Sequence, residues 1–213
     1  MAHLFPIYLD LKGKNCLVVG GGQVAERKVE NLLAYEVNIK VVSPAVEGKI
    51  REWSRQGIIE WVIREFEEAD LEGSFIVFIA TDKEGVNHRI AELCRLRGIM
   101  VNAVDDPPNC DFFIPSTIRR QSLVVAISTE GKSPLFARKL REQLEEIITA
   151  EYGEFVEMLG ELRSLIKQSI PDIDKRRRAF QALVDSDVLT LLKAGEKEEA
   201  RERIDQCMSS WLD

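Results

Sequence analysis

Asn15-Cys16-Leu17-Val18-Val19 is a short, largely apolar run that enters three consecutive glycines, Gly20-Gly21-Gly22. A helical pattern follows from Gln23-Val24-Ala25. Strand, glycine turn and helix in that order form the first half of a βαβ unit, which limits the chain to folds with a parallel sheet. Gly20, Gly22 and Ala25 fit the spacing G-x-G-x-x-G/A. Gly20 allows a tight turn out of the strand. Gly22, without a side chain, lets a pyrophosphate approach the backbone. Ala25 is small enough for the helix to lie close to the strand. Amides at the helix N-terminus then face phosphate with the positive end of the helix dipole. The same glycines could also make a turn that holds no nucleotide; the strand before and the helix after favour the phosphate cradle.

The pattern continues as alternating strands and helices. Strands are expected at 14–19, 37–42, 58–63, 74–80 and 99–104, and helices at 22–35, 46–56 and 84–97. Ser74-Phe75-Ile76-Val77-Phe78-Ile79-Ala80 is almost continuously apolar, as a strand buried on both faces must be. Right-handed crossovers between such strands predict an α/β, Rossmann-type open parallel sheet. Its ligand edge carries Gly20 to Gly22, Ser43-Pro44, Thr81-Asp82 and Asp105-Asp106. Beyond Phe112-Phe113-Ile114-Pro115 the pattern changes. Two strands, 117–120 and 122–128, form a hairpin, and a helix covers 134–149. Helices are expected at 154–168, 174–184, 185–194 and 196–210. These readings divide the chain into a nucleotide-binding domain (1–113), a central hairpin and helix segment (114–150) and a small helical domain (151–213). An isolated hairpin is marginal and its edges invite pairing with a second copy, so a homodimer is expected.

Composition narrows the partners. The formal net charge of -7 over 213 residues disfavours a nucleic-acid or anionic-membrane partner for the surface as a whole. The N-terminus lacks the charged and apolar regions of a secretory signal, and no apolar run is long enough to span a bilayer. Cys16, Cys94, Cys110 and Cys207 are scattered and form no C-x-x-C pair, which points to a reduced, cytoplasmic setting. Only His3 and His88 supply imidazole, so no protein metal site is expected.

Three further constellations could carry chemistry. An NAD-specific unit usually has an acid about 20 residues after the first glycine, to bind ribose hydroxyls. Val41-Val42-Ser43-Pro44 stands there instead, so Ser43 and backbone amides near Pro44-Ala45 are the candidates for holding the ribose. Asn102-Ala103-Val104-Asp105-Asp106-Pro107-Pro108 places two acids directly after a strand; they read either as a general acid or base, or as an Asp-rich turn. Ser133-Pro134 is a natural helix start, and Ser133 with Lys132 could equally hold a carboxylate or phosphate. Basic residues cluster at Arg119-Arg120, Lys132, Arg138-Lys139, Arg141 and Lys175-Arg176-Arg177-Arg178. They read as solvated helix faces one by one, or together as a pocket for a polyanion.

Phe5-Pro6-Ile7-Tyr8-Leu9-Asp10-Leu11 and the run 18–28 resemble the precorrin-2 dehydrogenase/sirohydrochlorin ferrochelatase family, found alone or as the N-terminal part of siroheme synthases. Ala80-Thr81-Asp82 with Val86-Asn87, Asn102-Ala103-Val104-Asp105, Phe113-Ile114-Pro115-Ser116 and Gly131-Lys132-Ser133-Pro134-Leu135-Phe136-Ala137-Arg138 complete the likeness. The resemblance implies oxidation of precorrin-2, a reduced tetrapyrrole rich in carboxylates, to sirohydrochlorin with NAD as cofactor. Many members then insert Fe2+, for which the macrocycle itself supplies the ligands. By the same resemblance Asp105 is the catalytic acid, and Gly20, Gly22, Gln23, Val24, Ser43, Pro44, Ala45 and Thr81 contact the cofactor. Asn102, Ser116, Arg119, Lys132, Ser133 and Arg138 become the candidates for substrate binding. The family's loop serine falls on Thr129 here. Two other readings stand beside this one: a dehydrogenase served by a separate chelatase, and a non-catalytic domain that senses NAD(H).

Overall fold

A computed structural model of the chain describes residues 3–212. The chain forms two compact units, the first ending at Ile114 and the second starting at Pro115. The first unit contains β1 (Asn15–Val19), α1 (Gln23–Leu32), β2 (Asn38–Val42), α2 (Gly48–Arg55) and β3 (Glu60–Val62). It continues with β4 (Ile76–Ile79), α3 (Glu84–Arg97) and β5 (Met100–Ala103). All five strands are parallel, in the order β3-β2-β1-β4-β5. The chain therefore reverses direction across the sheet between β1 and β4, the position where open sheets of this kind bind ligands.

Alternation along β1 sorts the core. Cys16 and Val18 join Ala25, Val29 and Leu32 of α1 on one face, while Leu17 and Val19 join Ile90, Ala91 and Cys94 of α3 on the other. Burial on both faces explains the unbroken apolar runs. It also makes Cys16 a packing residue, its thiol pushed up to about 12 by desolvation. β3 covers only three residues of the expected 58–63. It lies at the sheet edge, pairs only with Lys40–Val42 of β2, and leaves Ile58 and Ile63 exposed.

Asp70 is an ion buried beside this sheet, in a short 3-10 turn (Glu68–Leu71) that the sequence does not announce. Its carboxylate accepts from Arg64 Nη1 and Nη2 at 2.7 and 2.8 Å and from the Glu67 amide at 2.9 Å, with Lys40 Nζ at 3.4 Å. Burial alone would raise its pKa. The hydrogen bonds from Arg64 and Glu67 and the charges of Arg64 and Lys40 outweigh this and hold it below the ordinary carboxylate value. That contribution is complete above the ordinary value of about 3.9 and is lost as the pH falls through the depressed one. Asp70→Asn should therefore cost about 1–3 kcal/mol at neutral pH. Urea titrations at pH 7 and at pH values below 4 should find the gap to wild type closing in acid; a constant gap would assign the loss to packing.

The second unit holds a hairpin, β6 (Ser116–Arg120) and β7 (Leu123–Ile127), then α4 (Pro134–Ile147) and α5 (Ala150–Ser169). It ends with α6 (Ile173–Val184), α7 (Val188–Ala194) and α8 (Lys197–Leu212). Its core joins Phe155 and Ile166 of α5 to Leu183, Leu192, Ile204 and Met208. The break between α4 and α5 falls at Ile148-Thr149, so α5 starts earlier than the expected 154. Neither residue is a helix breaker. The break is held from the hairpin, where Arg120 Nε donates to the Ile148 carbonyl at 2.9 Å. Among the described residues no helix is long and apolar enough to cross a membrane.

Gly153 shows how closely α5 lies on the hairpin. A Cβ there would stand 2.5 Å from the Arg120 carbonyl oxygen, whereas one at Gly160 in the same helix meets nothing within 4 Å. Glycine-to-alanine exchange in a helix normally stabilises by about 0.5–1 kcal/mol. Gly160→Ala should do so, and Gly153→Ala should instead destabilise by about 1–3 kcal/mol because the opposing atoms are backbone. Thermal unfolding of the two variants reads the opposite signs; a gain at both would mean that the hairpin yields.

Candidate active site

The glycine turn gives its three residues different tasks. Gly20 has φ +116°, and a Cβ there would lie 2.3 Å from the carbonyl oxygen of Ala80, at the end of β4. A Cβ on Gly21 would lie 2.0 Å from the carbonyl oxygen of Ala45 and 2.8 Å from Ser43 Oγ. These two glycines let the loops after β1, β2 and β4 close on each other at the point where the sheet reverses. Gly22 is different: a Cβ there meets nothing within 4 Å. It is the N-cap residue of α1, and no side chain caps the first amides of that helix. The amides at Gln23 and Val24 thus begin a helix with open space before them, a fit for a pyrophosphate.

The neighbouring loops are braced from within. The Ser43 hydroxyl donates to the Ala45 carbonyl at 2.7 Å, and Trp61 Nε1 donates to the Ser43 carbonyl at 3.0 Å. Ser43 is buried, so its donor shapes the loop after β2, whose Pro44 and Ala45 follow directly. The Thr81 hydroxyl donates to Asn87 Oδ1, and Asn87 Nδ2 returns a bond to the Thr81 carbonyl at 3.0 Å. Asn87, on α3, thereby fixes the loop after β4.

At the end of β5 the two adjacent acids separate. Asp106 Oδ2 accepts from Asn109 Nδ2 at 2.7 Å within a 3-10 turn (Pro107–Asn109), and Arg95 of α3 pins that turn through Pro108 and Asn109. Asp105 is exposed and adopts φ +57°, a left-handed conformation that aspartate tolerates. No hydrogen bond reaches its carboxylate among the described residues. Of the pair, Asp106 builds the turn and Asp105 is displayed by it.

Asn102 is buried on β5. Its Nδ2 donates to the Phe112 carbonyl at 2.9 Å, and its Oδ1 accepts from Lys28 Nζ of α1 at 3.3 Å. Both ends of the side chain are engaged inside the unit, so the residue acts on a ligand through what it positions. Lys28 Nζ also stands 5.3 Å from the centre of the Phe78 ring, and Phe78 packs edge-on against Phe112. Sequence reasoning quoted Lys28 and Asn87 within the family likeness without giving either a role, and missed Arg95. Lys28 lies in the quoted run 18–28, but its spacing from the glycines carries no sign of contact with β5.

The second unit holds the remaining candidates. Ser133 caps α4, its Oγ accepting from the Phe136 amide at 3.3 Å, while Thr129 Oγ1 accepts from the Ser133 amide at 3.0 Å. Arg138 pairs with Glu142 at 3.0 Å on an exposed helix face. Ser116 opens β6 opposite Ile127, and Arg119 and Lys132 are exposed. Arg120 is spent on the end of α4. Arg176 and Arg177 border, with Arg163 and Lys167, a groove of about 520 Å³ floored by Ile173, Phe180 and Val184. Among the described residues no three His, Cys, Asp or Glu side chains gather as a metal site.

Residues 7–116 match a family model described as "Putative NAD(P)-binding". Residues 120–147 match the central region of sirohaem biosynthesis proteins, and residues 151–208 match the sirohaem synthase dimerisation region. The siroheme synthase of Thioalkalivibrio sulfidiphilus is 40% identical over 209 residues, covering 98% of this chain and 43% of that protein. That of Nitrosococcus oceani is 37% identical over 195 residues, covering 92% and 42%. The chain thus spans less than half the length of the curated relatives it matches. The solved structure of SirC, a precorrin-2 dehydrogenase, superposes with a TM-score of 0.76 at 28% identity, covering 95% of this chain and all of that one.

Proposed function

The chain belongs to the family described as putative NAD(P)-binding and carries regions that match the sirohaem synthase central and dimerisation models, and from that premise we propose that it oxidises precorrin-2 to sirohydrochlorin. The observation that carries this reading is the carboxylate of Asp105, which accepts no hydrogen bond among the described residues and is displayed by a left-handed turn at the same sheet edge as the open cradle at Gly22. We take the cofactor to be NAD, because no cation follows β2 in Ser43-Pro44-Ala45-Val46 to meet a 2′-phosphate. When bound, the oxidised nicotinamide supplies the hydride acceptor. Gly22, Gln23 and Val24 would hold its pyrophosphate. Ser43, Pro44, Ala45 and Thr81 would shape the walls on either side of it.

The oxidation removes a hydride and a proton from the reduced macrocycle. In this proposal Asp105 takes the proton, since its carboxylate has no internal partner to give up first. The same group would accept protons from the ring nitrogens if Fe2+ is inserted afterwards, with the macrocycle as the ligand set. Ser116, Arg119, Lys132 and Arg138 are proposed to meet substrate carboxylates, and Ser133 to build the helix start that follows Lys132.

A homodimer fits the exposed apolar side chains of α4, Leu135 at 78% and Phe136 at 58%, and the marginal two-stranded sheet of β6 and β7. Free thiols at Cys16, Cys94, Cys110 and Cys207 fit a cytoplasmic setting. The reading is tested by mixing the protein with precorrin-2 and NAD. Growth of NADH absorbance together with the sirohydrochlorin spectrum is expected, and NAD binding without turnover would favour a sensor domain. Adding Fe2+ to sirohydrochlorin then reads the chelatase separately.

A further inference from the structure

We propose that Lys28 is a substrate-binding residue, pairing with a carboxylate of the tetrapyrrole beside Asp105. The proposal rests on the function proposed above. Lys28 lies six residues into α1 from its N-cap at Gly22, about 9 Å along the helix axis and so away from the phosphate cradle. Helix side chains lean toward the N-terminus, which carries the ammonium back toward the carboxyl edge of the sheet. There its Nζ meets Asn102 Oδ1 at 3.3 Å and the face of Phe78 at 5.3 Å. The direction of that contact is fixed, because Asn102 Nδ2 is held by the Phe112 carbonyl at 2.9 Å.

An ammonium has three donors. One here is met by a neutral amide oxygen, and among the described residues no carboxylate lies within ion-pair distance. Burial lowers the Lys28 pKa, with Arg27 adding to the effect, while Cys110 and Asp105 oppose it. A half-buried cation held in one direction without a counter-ion is costly unless a ligand supplies the charge. The anion that fits is a carboxylate on a body large enough to reach Asp105 as well. On the same side the partly buried Phe112, packed edge-on against the buried Phe78, is the apolar neighbour. Asn102 then acts as the positioning residue for Lys28.

Lys28→Met keeps an unbranched stem over Phe78 and removes the charge, and Lys28→Arg keeps the charge. Absorbance titration with sirohydrochlorin gives the tetrapyrrole affinity without turnover, and calorimetry gives the NAD affinity. Lys28→Met should weaken sirohydrochlorin binding and raise KM for precorrin-2 by about 10- to 100-fold. Its NAD affinity and Tm should stay near wild type, and Lys28→Arg should recover most of the loss. Wild-type tetrapyrrole affinity in Lys28→Met overturns the proposal. So does a joint fall of Tm and NAD affinity in that variant, which would make Lys28 a strut for Asn102. If the wild-type protein neither binds sirohydrochlorin nor oxidises precorrin-2, the functional reading itself falls, and Lys28 with it.

Discussion

Asp105→Ala should retain NAD binding while losing about 10²- to 10⁴-fold in kcat for precorrin-2 oxidation, the range of a lost general base, with Tm lowered only by the strain of alanine at φ +57°. The expectation follows from how the turn after β5 is built. Asp105 contributes no hydrogen bond to that turn among the described residues, so removing its carboxylate leaves the Asp106–Asn109 bond and the Arg95 contacts in place. Asp106→Ala is the contrasting variant. It deletes an acceptor on which Asn109 depends, and should lower Tm along with activity. Stopped-flow NADH formation and calorimetric NAD titration on both proteins separate the outcomes. A wild-type rate in Asp105→Ala would remove this residue from the chemistry.

Gly20→Ala should be the most damaging exchange in the glycine turn. It adds a side chain at φ +116° and places it 2.3 Å from the carbonyl oxygen of Ala80, the residue after β4. Strain of about 1–3 kcal/mol and overpacking of similar size together cost roughly 2–6 kcal/mol, a fall of about 10 °C in Tm. Gly22→Ala meets no atom within 4 Å and should leave Tm unchanged. Its methyl group would stand where the pyrophosphate must approach, so NAD affinity should fall about 10- to 100-fold, the loss of one charge-assisted contact. Thermal unfolding with NAD titration tests the pair. A stable Gly20→Ala would mean that the β1 and β4 loops are free to part, and undiminished NAD binding by Gly22→Ala would move the phosphate elsewhere.

Much of the first unit was legible because its signals are local. The period of the apolar runs marked every strand, and Gly57 and Gly98 marked where α2 and α3 end. The acids at 105 and 106 were equally legible as a pair, yet their difference was not. It depends on Asn109 curling back to Asp106 and on Arg95 reaching across from α3. Ser43 was read as a candidate for the ribose, and its hydroxyl proves to be bonded to Ala45. The α4–α5 break was expected at 150–153 and falls instead at Ile148-Thr149, because Arg120, distant in sequence, holds it rather than a glycine or proline.

The sequence alone therefore determined the class of fold, the place of the glycine turn and the strand end that bears the two acids. Those follow from side-chain period and backbone freedom, which neighbouring residues settle among themselves. Only the tertiary structure decided which glycine faces open space, which of two acids is displayed, and that Lys28 meets Asn102. Those depend on contacts between residues far apart in the chain, such as Lys28 and Asn102, which exist only once α1 and β5 have packed into one unit.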